Sequence, residues 1–263
     1  MIRMADNSLT KMQHETNVLG QPVGLPLPNW NPPRFPSREP MEGRFCRIEA
    51  FNAVLHAAAL HETNRIDVEG RMWTYLPYGP FDTLASYHAW AEEVCSRSDP
   101  LFFAIIERMS GRPVGVASFL RINPPSGSIE VGHLNYSPLL QRAVAGTEAM
   151  FLMMERAFSL GYRRYEWKCD ALNGPSRSAA QRLGFRLEGV FRQATIVKGR
   201  NRDTAWFAVM DGEWPSLRDA FQRWLHPSNF DENGRQRVRL SAMTGTRASP
   251  IGGAAPPGAP LYS

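Results

Sequence analysis

Cysteine is scarce in this sequence, and its three copies, Cys46, Cys95 and Cys169, are too widely spaced for a zinc or redox motif. An odd number of isolated cysteines argues against a disulfide framework and favours a reducing compartment, so we expect the protein to be cytoplasmic. Long apolar runs are absent too, since no stretch approaches 18 uninterrupted apolar residues and none follows Met1. We therefore expect neither a standard secretion signal nor a membrane span.

Lysine is also scarce, because 27 of the 30 basic residues are arginines. Against 25 acidic residues they give a formal net charge of +5. Guanidinium groups bind phosphate well, so a basic nucleic-acid-binding module is one interpretation of this excess. Several catalytic signatures are missing: the P-loop, the dinucleotide-binding glycine motif, the G-x-S-x-G elbow and the H-E-x-x-H zinc motif. No metal site is expected.

Composition divides the chain into three parts. Seven prolines within residues 21–40 disfavour helices and central strands, which predicts an extended or detached Pro-rich N-terminal extension over residues 1–40. The C-terminal end is rich in alanine, glycine and proline, which predicts a disordered tail over residues 231–263. Residues 41–230 remain as one folded domain.

Hydrophobic periodicity in the central part alternates between the strand period and the helix period. In chain order, the predicted elements are a strand at 44–48, helices at 51–61 and 82–95 (with Asp82 as N-cap), strands at 102–107, 114–122 and 129–136, a helix at 147–160, a strand at 163–169, a helix at 176–183 (with Asn173 as N-cap), strands at 185–197 and 203–209, and a helix at 214–225. The strand–helix–strand unit over 129–169 predicts a parallel pair inside a mixed sheet. The fold class is therefore α+β, or mixed α/β.

The loop before the 147–160 helix has features of a pyrophosphate site. A helix N-terminus offers free backbone N–H groups and the positive end of the helix dipole. Small residues at Ala143, Ala145 and Gly146 let a ligand approach the backbone, and Arg142 adds a cation. An ordinary strand–helix connection can also be rich in small residues, so the loop alone leaves both interpretations open.

Two motifs in this half of the domain indicate a family. They are the loop Gln141-Arg142-Ala143-Val144-Ala145-Gly146 with Thr147-Glu148-Ala149, and the pair Asn173-Gly174-Pro175-Ser176 and Leu183-Gly184-Phe185, followed by Glu188-Gly189. Over roughly residues 41–212 the chain resembles the GNAT superfamily of acyl-CoA-dependent N-acyltransferases, particularly the RimJ/RimL branch of ribosomal-protein N-terminal acetyltransferases. This resemblance implies the GNAT fold, in which helices flank a mixed sheet with two splayed parallel strands, and it implies acetyl-CoA as cosubstrate.

The loop departs from the branch pattern Arg-Gly-x-Gly-x-Ala at three positions. Gln141 replaces the arginine, and Arg142 and Val144 replace the two glycines. Because valine avoids positive φ angles, Val144 is expected to change the loop conformation or to weaken CoA binding. A catalytically weak acyl-CoA-binding protein is therefore an alternative within the same fold.

Acyl transfer to an amine requires proton loss from the amine and help for the departing sulfur. The resemblance implies that the Ser176 hydroxyl hydrogen-bonds that sulfur, although Ser176 could equally cap its helix. Glu130, on the strand beside the implied cleft, is the candidate base, with a salt-bridged strand residue as the alternative. The residues implied in cofactor binding are Leu134, Tyr136, Gln141, Arg142, Ala143, Val144, Ala145, Gly146, Thr147 and Asn173.

The sequence thus predicts an N-acetyltransferase that transfers the acetyl group of acetyl-CoA to a primary amine by direct attack in a ternary complex. The acceptor is a protein N-terminus or a small amine, bound by residues 51–96 and 195–204. Trp73, Tyr75, Tyr78 and Trp90 suggest an aromatic lining or plain core packing, and His133 is interpreted as a core residue. A homodimer is possible, no membrane partner is expected, and nucleic acid is disfavoured.

Overall fold

The computed structural model describes residues 14–245, which divide into two compact units at residue 32. In the first unit, strands β1 (His14–Thr16) and β2 (Pro22–Gly24) form an antiparallel hairpin. The Asn17 side chain closes its turn, because Oδ1 accepts from the N–H groups of Leu19 and Gln21. Part of the predicted extension is therefore a hairpin, and residues 1–13 lie outside the described range.

The second unit contains an eight-stranded mixed sheet in the order β3-β4-β5-β6-β7-β8-β10-β9. Its strands are β3 (Met41–Glu42), β4 (Cys46–Ala50), β5 (Leu101–Glu107), β6 (Pro113–Asn123), β7 (Ser128–Tyr136), β8 (Arg164–Asp170), β9 (Arg186–Val197) and β10 (Arg200–Met210). Neighbouring strands are antiparallel except β7 and β8, which are parallel. The predicted mixed α/β class with one parallel pair is confirmed.

Six helices accompany the sheet in residues 32–245: α1 (Ala53–Asn64), α2 (Leu84–Cys95), α3 (Val144–Ser159), α4 (Gly174–Arg182), α5 (Trp214–Leu225) and α6 (Leu240–Thr244). Side chains alternate across a strand, so the sheet supports a core on each face. Phe102 and Ala104 of β5 pack with α1 and α2, whereas Phe103 and Ile105 pack with the core of α3 to α6.

Four of the five predicted helix starts differ from the structure. α1 begins at Ala53 rather than at residue 51, and α4 begins at Gly174 rather than at residue 176. α2 begins at Leu84, and its N-cap is Thr83 rather than Asp82, because the Thr83 hydroxyl accepts from the Ser86 N–H. α3 begins at Val144 rather than at residue 147, with Ala143 as its N-cap. The small residues of the predicted phosphate loop therefore belong to the first turn of the helix itself.

The folded unit also extends beyond both predicted domain boundaries. At the N-terminal side, the Arg156 guanidinium donates to the carbonyls of Glu39 and Pro40, so residues before 41 already pack on α3. At the C-terminal side, the predicted disorder from residue 231 is wrong as far as residue 245, because α6 packs there and Leu240 is 1% exposed. Residues 246–263 lie outside the described range.

None of the helices in residues 14–245 combines the length and apolar character needed to cross a membrane.

Candidate active site

The parallel strands β7 and β8 separate halfway along their length. They pair from Ser128 with Arg164 to Val131 with Trp167, and within the described chain no further pairs follow. Just beyond, the register between β6 and β7 shifts, so that one β6 residue lies opposite both His133 and Leu134. His133 adopts a φ of 50°, as expected for a bulge that redirects a strand. The bulge and the lost pairing open the sheet.

A cleft of about 1380 Å³ occupies this opening. Its walls come from the β7–α3 loop, the first turns of α3 and α4, residues 67–75, and residues 224–241. Ten of the twelve site residues predicted from the sequence line it: Leu134, Tyr136, Gln141, Arg142, Ala143, Val144, Gly146, Thr147, Asn173 and Ser176. The other two, Ala145 and Glu130, are buried elsewhere, with Ala145 in the larger core.

The N-terminus of α3 faces the cleft without a capping side chain. Ala143 provides no side-chain hydrogen bond, and the first turn of this 16-residue helix carries no acidic residue. Its N–H groups and helix dipole are therefore available to an anion. The left-handed residue of the loop is Arg142, with a φ of 61°, and not Val144, which is the first helical residue. The conformational conflict expected at Val144 is wrong, and the backbone strain lies at Arg142.

Tyr136 and Gln141 hold this loop in place. The Tyr136 hydroxyl donates to the Gly146 carbonyl at 3.2 Å, and Gln141 Nε2 donates to the Tyr136 carbonyl at 2.8 Å. Desolvation raises the pKa of Tyr136, so its hydroxyl stays neutral and keeps its proton for that bond. The two side chains thus fix the position of the α3 N-terminus at the cleft.

Ser176 is held by Asn173, Trp167 and Cys169 at the start of α4. Asn173 is the N-cap of α4, since its Oδ1 accepts from the Ser176 N–H at 3.1 Å, so the side chain of Ser176 is not the cap. Trp167 Nε1 lies 3.0 Å from Ser176 Oγ. An indole N–H can only donate, so the serine oxygen accepts it, and the serine O–H faces the Cys169 sulfur.

Glu130 is not among the described residues that line the cleft, and its carboxylate lies in an ion-pair network. Its Oε2 is 2.7 Å from Arg121 Nη1 and 2.9 Å from Lys168 Nζ, and its side chain is only 4% exposed. Lys168 also pairs with Glu166 at 2.7 Å and lies 3.8 Å from the centre of the Trp206 ring. This geometry favours the salt-bridged alternative over the interpretation of Glu130 as base.

Most of the aromatic residues suggested for the acceptor region are core residues. Tyr78 and Trp90 pack against each other with ring centres 4.6 Å apart, and His133 lies over Tyr78 at 5.6 Å. Burial, and then the nearby Arg121, lower the pKa of His133 to about 4, so this histidine is neutral near pH 7. Of the four suggested aromatics, Tyr75 alone is among the described cleft residues, and its hydroxyl donates to the Leu172 carbonyl.

The sequence analysis predicted only some of the charged residues that line the cleft. Five arginines line it: Arg71, Arg142, Arg182, Arg235 and Arg239. Asp67 is the one acidic residue among the described lining residues. Burial lowers the pKa of Arg182, which donates to Thr147 Oγ1 at 3.1 Å in the first turn of α3. A cleft with this excess of cations and an uncapped helix N-terminus suits a polyanionic ligand.

Asp67, Arg235 and Arg239 were missed by sequence reasoning. Asp67 lies in an irregular loop, where no periodicity marks the residue. Arg235 and Arg239 fall in the segment assigned to the disordered tail, although the alternation of Arg235, Arg237 and Arg239 with Val238 and Leu240 was a local signal of order. Within residues 14–245, no group of three or more His, Cys, Asp or Glu side chains is arranged to hold a metal ion.

Known proteins share this architecture. Residues 46–186 match the family model described as the acetyltransferase (GNAT) domain. A GCN5-related N-acetyltransferase from Brucella melitensis is 46% identical, with a TM-score of 0.81 over 83% of this chain and 99% of that chain. A GNAT-family protein from Chromobacterium violaceum is 37% identical, with a TM-score of 0.69 over 74% and 98% of the two chains.

A more distant structure shares the fold alone. It is the acetyltransferase of Salmonella typhimurium that modifies the N-terminal serine of ribosomal protein L7/L12, at 20% identity and a TM-score of 0.56 over 65% of this chain and 99% of that chain. No curated protein matches the chain significantly. The family match, the B. melitensis relative and the splayed β7–β8 cleft agree, and they identify the chain as a member of the GNAT acetyltransferase family.

Proposed function

We propose that this protein transfers the acetyl group of acetyl-CoA to a primary amine, which attacks the thioester directly in a ternary complex. The observation that carries the proposal is the cleft at the β7–β8 opening, which joins an uncapped helix N-terminus to a serine hydroxyl that accepts from the Trp167 indole. The amine is a protein N-terminus or a small molecule. In the reaction the nitrogen–acetyl bond forms, the carbon–sulfur bond breaks, and the amine loses one proton while the thiolate gains one.

Each half of the cleft supports one part of this chemistry. The N–H groups at the start of α3, with Arg142 and Arg182, suit the pyrophosphate of the donor. Beyond Val131 the β7 backbone has no ladder partner on β8 in the described chain, so its polar groups are available to the pantetheine amides and the thioester oxygen. The Ser176 hydroxyl then donates to the departing sulfur, since the Trp167 indole already fills one of its acceptor positions.

Asp67 takes the place of Glu130 as the carboxylate of the candidate site. Its Oδ2 accepts from the Met72 N–H at 2.7 Å, which fixes the side chain, while Oδ1 is left for another donor. Asp67 is the one carboxylate among the described cleft residues, so it is the group there that can pair with an ammonium. Asp67 therefore binds the acceptor while the acceptor is still an ammonium ion. The bound ammonium must then lose a proton before it attacks the thioester.

The test is release of free thiol from acetyl-CoA in the presence of a panel of small polyamines, lysine derivatives and peptides, with the acetylated product identified by mass spectrometry. Amine-dependent thiol release with one acetyl group on the product nitrogen supports the proposal. Tight CoA binding with no turnover on any amine favours the acyl-CoA-binding alternative. No CoA binding, together with salt-sensitive binding to nucleic acid, overturns the proposal in favour of the nucleic-acid module.

Replacement of Asp67 with asparagine is expected to raise the KM for the amine about 10-fold, the cost of roughly one charge-assisted contact. The KM for acetyl-CoA should change far less, because the arginines bind the donor. The matched control is Glu69→Gln in the same loop, since Glu69 pairs with Arg71 and does not line the cleft. Equal changes in both KM values for Asp67→Asn would contradict the assignment.

A further inference from the structure

The chain after α5 forms an ordered wall of the cleft, although it lies beyond the residues that match the family model. Residues 226–245 fold back as a loop that ends in α6. Asn229, only 6% exposed, ties the loop together. Its Nδ2 donates to the carbonyls of Trp224 at 3.0 Å and Val238 at 3.2 Å, and its Oδ1 accepts from the Val238 N–H at 2.9 Å.

Three further contacts anchor this C-terminal loop (residues 226–245) to the rest of the unit. Trp224 Nε1 donates to Gln236 Oε1 at 2.8 Å, and the Thr244 hydroxyl donates to the Arg182 carbonyl at 3.1 Å. Leu240 is buried in the larger core. Because Arg182 also contacts Thr147 in α3, the C-terminal loop is fixed beside the anion-binding end of the cleft.

Two arginines of the loop line the cleft and keep their positive charge unpaired in residues 14–245. Arg235 and Arg239 both line it and are both exposed, and neither guanidinium pairs with a carboxylate in residues 14–245. Half-buried Phe230 lines the same wall. Two free guanidinium groups beside an aromatic ring form a site for a phosphorylated nucleotide, because the ring can stack on a base and the fork of each guanidinium matches phosphate oxygens.

We infer that Arg235 and Arg239 of the C-terminal loop bind the ribose phosphate monoester at the nucleotide end of CoA. This inference rests on the proposed use of acetyl-CoA. The N-terminus of α3 serves the pyrophosphate, which leaves the monoester as the remaining phosphate of the donor. A phosphate monoester carries nearly two negative charges at about pH 7, which two arginines balance. The loop thereby selects CoA esters over donors that lack this phosphate.

The test compares the binding of CoA and of dephospho-CoA, which lacks only the ribose phosphate, by calorimetric titration. The wild-type protein should bind CoA at least about 10-fold more tightly. In the double variant Arg235→Ala with Arg239→Ala, CoA affinity should fall by about 10-fold or more, while dephospho-CoA affinity changes less than about 2-fold. The matched control is Arg237→Ala, from the same loop but not lining the cleft, and it should leave both affinities unchanged.

Two results would overturn the inference. One is a wild-type protein that binds CoA and dephospho-CoA equally well. The other is a double variant that loses affinity for both ligands to the same extent, because the arginines would then act on the pyrophosphate or on the general field of the cleft. Thermal unfolding confirms that the variants fold. Failure of the proposed function gives a different result. A protein that binds CoA more tightly than dephospho-CoA but acetylates no amine contradicts the proposed function and still supports the phosphate site.

Discussion

Replacing Ser176 with alanine is expected to lower kcat about 100-fold, with little change in the KM for acetyl-CoA, because the lost hydroxyl acts on the departing sulfur rather than on the bound donor. The contact from Trp167 Nε1 to Ser176 Oγ at 3.0 Å supports this expectation. That contact makes the serine an acceptor toward the indole, so its own O–H can hydrogen-bond the thiolate as the carbon–sulfur bond breaks, while the proton that the thiolate gains is the one that the amine loses.

Thioesters with different leaving thiols sharpen the measurement. A thiol of low pKa departs without help, so its ester should lose much less rate in Ser176→Ala than an ester of an ordinary alkyl thiol. Trp167→Phe keeps an aromatic ring and removes the N–H donor, so it should lower kcat by only a few fold, through loss of serine orientation. The exposed Ser216, in the first turn of α5 and outside the cleft lining, provides a matched control that should leave kcat unchanged as alanine. Full kcat in Ser176→Ala would remove the residue from the mechanism.

The sequence predicted best those features that depend on neighbouring residues. Helix α5 begins and ends where its pattern predicts, at Trp214 and Leu225, because an amphipathic face and a proline in the first turn define it locally. Asn173 is the N-cap of α4, as the Asn-x-x-Ser motif predicts, since the hydrogen bond spans only three residues. Both features are independent of the rest of the chain.

Features that depend on distant residues were harder to predict. Strand alternation predicts that Glu130 and the residues on either side of it point to opposite faces of the sheet. It does not predict that Arg121 and Lys168, from the two adjacent strands, form ion pairs with the Glu130 carboxylate. The start of α3 was placed three residues late because valine and glycine are poor helix formers, and distant contacts such as those of Tyr136 with Gly146 and of Arg182 with Thr147 hold that turn. Composition averaged over the C-terminal end concealed the ordered loop that contains Arg235 and Arg239.

The largest expected effect on stability comes from Glu148, the middle residue of the Thr-Glu-Ala motif in α3. Its side chain is buried, and its carboxylate accepts three backbone N–H groups, from Arg44 at 2.8 Å, Phe45 at 2.6 Å and Cys46 at 2.8 Å. Glu148 thereby joins α3 to the start of β4. A Cβ on Gly43 would collide with this carboxylate, so the chain turns there through a glycine.

Glu148→Ala is expected to lower the free energy of unfolding by about 3–5 kcal/mol, because three backbone donors in a buried turn lose their acceptor at once. The measurement is urea unfolding, in which the midpoint should fall while the m-value stays constant.

Glu155→Ala, on the same helix, removes a partly exposed pair with Arg218 and should cost about 1 kcal/mol or less. Glu148→Gln keeps the shape of the side chain but turns an NH₂ group toward an N–H donor, so it should recover only part of the loss. A loss in Glu148→Ala no larger than that in Glu155→Ala would mean that water or backbone movement satisfies the three donors, and that the Thr-Glu-Ala motif does not anchor α3 to β4.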